Sequence, residues 1–393
     1  MFLHCVACDE RYKRDPMLYA CPAAGCESPL EVLYDKEYAK VGKLTGEGVW
    51  RYQPLLPVKK SVTLGEGGTG LHLCERLGRE LGIPRLFVKN EGENPTGSFK
   101  DRGMTVGIAL AQAVGARAVA CASTGNTSAS MAAYAARAGM TALVLLPAGK
   151  VAMGKLSQAI AHGARIAQVE GNFDDAMRLV VELSAHERGV YLLNSLNPYR
   201  LEGQKTLAFE VCEALGDAPD ALVLPMGNAG NISAIWKGFN EWKRLGRSRR
   251  LPRMIGVQAE KAAPIVRTFR EQADACRVEN PETLATAIRI GAPVNWRKAI
   301  AALVDSKGDA GTVTDREILE AQRHLAKTEG IFVEPASATP IAFLRKRRLK
   351  GAHTVVCVTT GHGLKDPDAL SGAPVEMRRI KPSLAALRKL LDA

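Results

Sequence analysis

"RLFVKNEGENPTGSFKDRGM", residues 85–104, decides how this chain is read. "RLFVKN" is a short apolar run with strand propensity. Pro95 and Gly97 then force a tight turn, and "FKDRGMTVGIALAQAVG" (99–115) carries helical spacing, with Ser98 predicted as its N-cap. Strand, turn and helix make the unit of an α/β protein, whose ligands collect at the carboxyl ends of its strands. Lys100 sits at such an end. The stretch is not a phosphate-binding P-loop. Gly92 and Gly97 are five apart, but Ser98 and Phe99 separate the second glycine from the lysine and Asp101 follows it. In the first helical turn, beside Phe99, Lys100 meets the positive end of the helix dipole and an apolar neighbour. Both disfavour its protonated form, and a neutral amine can form a Schiff base with a carbonyl.

The same unit recurs outward from this stretch. "RAVACAS", "TALVLLP", "RIAQVEG", "VYLLNS", "DALVLPMG", "RMIGVQAE" and "HTVVCVTTG" read as further strands, separated by helical segments such as "SASMAAYAARAGM" and "LEGQKTLAFEVCEALG". Apolar strands alternating with helices predict parallel sheets covered on both faces, and eight strands predict two sheets. The tail, "SLAALRKLLDA", reads as a short docking helix.

Composition narrows the class. With 393 residues, 46% hydrophobic and 24% charged, the chain supports two or three domains with a sizeable core. No apolar run reaches the roughly 20 residues that span a bilayer, and the N-terminus lacks a secretory pattern, so a cytoplasmic protein without membrane partners is expected. The net charge of +12 admits nucleic acid. However, the basic clusters "KRLGRSRR" and "RKRRLK" have no interleaved aromatics and read as solvated faces, so no nucleic-acid partner is expected.

Cys74, Cys121, Cys212, Cys276 and Cys357 are isolated and read as buried thiols. Cys5, Cys8, Cys21 and Cys26 form "CVAC" and "CPAAGC", two knuckles of zinc-ribbon spacing on a segment too short for its own core. They point to a structural zinc, with a metal-free relic of such a ribbon as the other reading.

Four more strand-end loops carry unusual chemistry. "STGNTSAS" (123–130) offers Ser123, Thr124, Asn126 and their neighbours at a helix start, an anion cradle beyond what capping needs. "PMGNAGN" (225–231) has Gly227 and Gly230 for close backbone approach to a ligand. "TTGHGLKD" (359–366) supplies Thr360, with His362 read as site residue or as structural histidine. "NSLNPYRLEGQK" (194–205) gathers Asn194, Ser195 and Arg200, and arginine suits a phosphate because it donates in a planar fork.

Taken together with "GVQAEKAAPIVRTFR", "ATAIRIGAPVNW" and "EGIFVEPASA", these segments from about residue 50 to 370 resemble, in order, the threonine synthase family of pyridoxal-phosphate enzymes, fold type II. The resemblance implies two domains, each with a mainly parallel sheet flanked by helices: a large one from 35–105 and 205–393, a small mobile one from 106–204, and a cysteine-rich ribbon at 1–34. It implies a homodimer that converts O-phospho-L-homoserine and water to L-threonine and phosphate. Lys100 would bond the pyridoxal 5'-phosphate and shuttle protons. Asn126 would meet the cofactor's phenolic oxygen, Gly227, Asn228, Ala229, Gly230 and Asn231 its phosphate, and Thr360 its ring nitrogen. Ser123, Thr124, Lys155, Asn194, Ser195, Arg200 and Asn228 would hold the substrate's carboxylate or phosphate. Two alternatives stay open: a related enzyme such as a threonine dehydratase or cysteate synthase, and a nucleic-acid-binding ribbon protein on a retired enzyme scaffold. One residue departs from the family pattern. Pro340 follows "EPASA" and is expected to alter the start of a helix.

Overall fold

The computed structural model describes residues 1–35, 41–148, 153–273, 276–370, 379–380, 382–384 and 387–388. Most of the tail read as a docking helix lies outside them.

Among the described residues, three sheets organise the chain. The N-terminal ribbon is an antiparallel sheet of β1 (Phe2–Cys5), β2 (Arg11–Lys13) and β3 (Leu30–Leu33), in the order β2-β1-β3. The large sheet has β4 (Leu71–Leu73), β5 (Arg85–Asn90), β10 (Ala221–Pro225), β11 (Arg253–Ala259), β12 (Asp309–Val313) and β13 (Thr354–Thr359), ordered β12-β11-β10-β13-β5-β4. It is parallel except for β4, which runs antiparallel to β5. The small sheet, β6 (Ala118–Ala122), β7 (Thr141–Pro147), β8 (Arg165–Val169) and β9 (Val190–Leu192), is fully parallel in the order β8-β7-β6-β9.

Among the described residues, twelve helices connect and cover the sheets: α1 (Glu75–Leu81), α2 (Lys100–Ala113), α3 (Asn126–Arg137), α4 (Met153–Ala161), α5 (Phe173–His186), α6 (Tyr199–Gln204), α7 (Thr206–Leu215), α8 (Gly230–Arg244), α9 (Pro264–Glu271), α10 (Trp296–Asp305), α11 (Asp315–Glu329) and α12 (Pro335–Lys346). The strands β10 and β13 are buried at every position, as expected of parallel strands with helices on both faces. All eight strands read from the sequence are present. β4 and β12 escaped that reading because both are short edge strands, one with a mid-strand glycine. The five isolated cysteines are buried, as read.

Two glycines set the geometry that matters for function. A Cβ on Gly203 would lie 1.8 Å from the Arg102 carbonyl, and one on Gly103 would lie 2.6 Å from that of Arg200. Without side chains there, α2 and α6 touch backbone to backbone, which brings Arg200 beside the helix that begins at Lys100. A buried ionic network fastens the same helix. Arg102 donates to Glu91 and Glu210, each at 2.6 Å, and Lys89 donates to Glu210 at 2.7 Å.

Two local expectations are corrected. Ser98 does not cap α2: its hydroxyl is buried and has no partner among the described residues, and Asp101 closes the turn instead by accepting from Thr96 N and Oγ1 at 2.7 and 2.6 Å. Pro340 lies inside α12, well past its start at Pro335. The Ala336 carbonyl, which Pro340 cannot serve, accepts from the Thr339 hydroxyl at 2.9 Å.

Candidate active site

The loops after β5, β10 and β13 of the large sheet and after β6 and β9 of the small sheet converge at the carboxyl ends of their strands. The strand order reverses around β13, where such sheets open a crevice. Direct bonds stitch the loops together. Phe99 N donates to Thr360 O at 3.0 Å, Asn295 N to Asn228 O at 3.1 Å, and Asn295 Nδ2 to Ser195 O at 3.2 Å. Phe99, Gln204, Asn231 and Thr360 line one small cavity.

Lys100 opens α2, its Nζ 4.3 Å from the centre of the Phe99 ring. It has no hydrogen-bond partner among the described residues. Burial pushes its amine down to about 7, the Arg200 cation acts in the same direction, and Glu334 opposes. This agrees with the direction expected from the sequence, but with a cause that sequence does not show, the second cation.

Arg200 is 2% exposed, and its Nε and Nη2 have no partner among the described residues. Burial lowers its pKa to about 10. A buried guanidinium with two orphaned donors is costly unless an anion arrives. The donor set of a planar fork and its place beside Lys100 fit a phosphate.

Asn126 begins α3, and its Nδ2 donates to both carboxylate oxygens of Glu334 at 3.1 and 3.0 Å. Ser123, Thr124 and Thr127 stay partly accessible around it, while Ser128 turns away to donate to Gly125 O at 2.8 Å. Thr360 Oγ1 lies 2.9 Å from Ser337 Oγ, which also accepts from Gly361 N at 2.8 Å. In the glycine loop, Ala229 takes a left-handed φ of 61° just before α8. That turn exposes the first N–H groups of α8, a cradle for an anion. Asn231 folds the loop by donating to Pro225 O at 2.7 Å.

Not every expected residue faces the crevice. Both amide atoms of Asn194 are engaged with the Ala122 main chain at 3.0 Å, tying β6 to the segment after β9. The side chain of Lys155, in α4, lies outside the described residues. His362 accepts from Leu364 N at 3.1 Å and packs edge-on against Phe332, which supports its structural reading.

Sequence reading missed Glu334 and Gln204. Glu334 heads α12 before Pro335, where an acidic residue reads as helix capping, yet its side chain caps nothing. A glutamate in a position that favours serine, threonine, aspartate or asparagine was the available signal. Burial raises its pKa, against the pull of Asn126 and Lys365. Gln204 carries an Oε1 without a partner among the described residues; nothing in its sequence context distinguishes it.

At the chain's start, the sulfurs of Cys5, Cys8, Cys21 and Cys26 all lie within 4.8 Å of one another. Among the described residues, no helix is long and apolar enough to cross a membrane.

A lysine held towards its neutral form, an anion-seeking loop at a helix start and a hydroxyl lining the same crevice suit an enzyme of the pyridoxal-phosphate class. The sequence profile of the pyridoxal-phosphate dependent enzyme family matches residues 62–361, and the chain belongs to that family. Within it, the chain groups with the threonine synthases. The threonine synthase of Methanocaldococcus jannaschii is 54% identical, over 100% of this chain and 99% of that one. The threonine synthase of Methanosarcina acetivorans is 52% identical, over 99% of this chain and 98% of that one. Among solved structures, the processed form of threonine deaminase isoform 2 from Solanum lycopersicum superposes with a TM-score of 0.67 at 20% identity, covering 88% of this chain and all of that one. At that identity the likeness speaks for the fold alone.

Proposed function

We propose that this chain converts O-phospho-L-homoserine and water into L-threonine and phosphate. The carrying observation is the pair Lys100 and Arg200: an amine held near neutrality beside a buried cation whose donors lack an anion. The relatives' names support the same reading.

The residues present fit pyridoxal phosphate. The left-handed turn at Ala229 opens the α8 N-terminus for its phosphate, and Asn126 and Thr360 stand where polar ring atoms need partners. When bound, the cofactor supplies the electron sink for a carbanion at the substrate's Cα. The chain does the rest. Lys100, neutral for about half the molecules near pH 7, takes the Cα proton and returns protons later. Arg200 grips the substrate's phosphate as it leaves from Cγ, while Ser123 and Thr124 hold the carboxylate. A proton is lost from Cβ as the phosphate leaves, one is returned to Cγ, and water then adds at Cβ. Thr360 would meet the ring nitrogen with a neutral hydroxyl in place of an acid, which would suit successive proton removals at Cα and Cβ. Asn194, with its amide engaged by Ala122, acts by shaping the loop.

The segment 106–204 closes over the substrate, which keeps stray water out until the last stage. Cys5, Cys8, Cys21 and Cys26 hold a structural zinc, for which their mutual spacing is suited. A homodimer and a cytoplasmic location belong to this reading on family resemblance alone. The test is incubation of the cofactor-loaded chain with O-phospho-L-homoserine. Threonine and phosphate in equal amounts support the proposal; phosphate with an oxo acid and ammonia, or no turnover, contradicts it.

A further inference from the structure

The ribbon is bonded to the helix that carries Arg200. Tyr199 Oη donates to Asp15 O at 3.0 Å, and Tyr34 Oη donates to Glu202 Oε2 at 2.7 Å. These two bonds bracket Arg200 on α6, a helix of only 6 residues. Next to them, Tyr19 Oη accepts from Leu192 N at 3.3 Å, and the Tyr19 ring meets Tyr191 edge-on at 5.8 Å. The ribbon also reaches the large sheet's helices. Lys298 of α10 donates to Leu30 O at 2.6 Å, and Lys237 of α8 donates to Val32 O and to Glu202.

The cysteines lie close to the ribbon's other contacts. Cys21 is two residues from Tyr19, and Cys5 pairs with Leu30 across the β1–β3 ladder. A short helix that buries an unpaired guanidinium is under pressure to turn that charge out to water. The crossing at Gly203 pins α6 on one side, against α2. The ribbon pins it on the other.

We propose that the metal-loaded ribbon is a positioning device for Arg200, so that metal occupancy at Cys5, Cys8, Cys21 and Cys26 sets the affinity for the phosphate group without setting the rate of chemistry at Lys100. This rests on the reading that Arg200 takes the substrate's phosphate. A ribbon that only adds stability would change melting temperature and leave phosphate affinity alone.

The test uses the full chain loaded with pyridoxal phosphate, as the parent, as Tyr199→Phe, as Tyr34→Phe and as the double variant, together with parent chain stripped of metal by a chelator and then refilled with zinc. Zinc content is measured by mass spectrometry, the Kd of inorganic phosphate by calorimetry, and KM and kcat with O-phospho-L-homoserine. Loss of these bonds is expected to raise phosphate Kd and KM together by about three- to thirtyfold while kcat moves less than about twofold. The tyrosine variants retain zinc, and in stripped protein refilling restores both values. Unchanged phosphate affinity in the stripped chain and the double variant overturns the proposal, as does an equal loss of kcat. If stripping unfolds the chain, the double variant decides alone. Phosphate binding is read without turnover, so a chain that binds phosphate in this metal-dependent way yet forms no threonine refutes the reaction and leaves the coupling standing.

Discussion

Asn126 donates to both carboxylate oxygens of Glu334, at 3.1 and 3.0 Å, and so ties the start of α3 on the small sheet to the start of α12 on the large one. The carboxylate lies against Gly361, where a Cβ would come within 2.6 Å of it, and its charge is felt at Lys100. Glu334 therefore touches the cleft at the asparagine and at the loop after β13, and acts on the Lys100 amine through its charge.

Because Glu334 favours the charged form of Lys100 and Arg200 disfavours it, their removal should move the lysine in opposite directions. The rate at which cofactor-free chain captures pyridoxal phosphate should rise between about pH 6 and about pH 8, centred near the lysine's value of about 7. Glu334→Gln should shift that midpoint to lower pH, and Arg200→Met to higher pH. Stopped-flow absorbance against pH measures all three. The linked effect on stability has a definite sign. The folded lysine holds its proton less tightly than an unfolded one at 10.5, so this group makes the cofactor-free fold more stable as pH rises from about 7 towards 10.5.

Arg200→Met should separate function from stability. Deleting a buried cation without a partner should stabilise the cofactor-free fold by about 1–3 kcal/mol. The same change should raise KM for the phosphorylated substrate by about a hundredfold. Denaturant titration and steady-state kinetics on one preparation give both numbers.

Arg102→Met should behave in the opposite way. Arg102 is fully buried and neutralises Glu91 and Glu210, which burial would otherwise drive out of the core. Removing it strands Glu91, leaves Glu210 to Lys89 alone and should cost about 3–5 kcal/mol. A urea midpoint shifted downward with unchanged slope is the expected result.

Ala229 tests the glycine loop. Its φ of 61° suits glycine and tolerates alanine, but a β-branched side chain clashes there. Ala229→Val should cost about 1–2 kcal/mol and weaken cofactor affinity, while Ala229→Gly should leave stability within about 0.5 kcal/mol. Cofactor titration followed by absorbance, with thermal melts alongside, reads both.

Much of the frame was legible because it is written in local chemistry. Apolar runs such as "TALVLLP" can only be buried strands, and the turn at Pro95 and Gly97 puts Lys100 at a strand end wherever the rest of the chain goes. What stayed hidden depends on distant partners. Glu334 looks like helix capping until Asn126, 208 residues away in sequence, is brought to it. Ser98 looks like a cap until Asp101 is seen to close the turn from within. The isolation of Arg200 is a property of its surroundings, and no spacing rule reports it. Pro340 is tolerated because Thr339 serves the carbonyl it abandons, a repair visible only once the helix register is known.

The proposed reaction turns on the Lys100 amine, as the group that would bond pyridoxal phosphate and move the substrate's protons. The most direct measurement is borohydride reduction of the cofactor-loaded chain followed by peptide mapping, with threonine formation from O-phospho-L-homoserine followed on the parent and on Lys100→Ala. The label is expected on the peptide containing Lys100, and Lys100→Ala is expected to take up no label there and to form no threonine. Label on another lysine, or threonine output unchanged in Lys100→Ala, would contradict it.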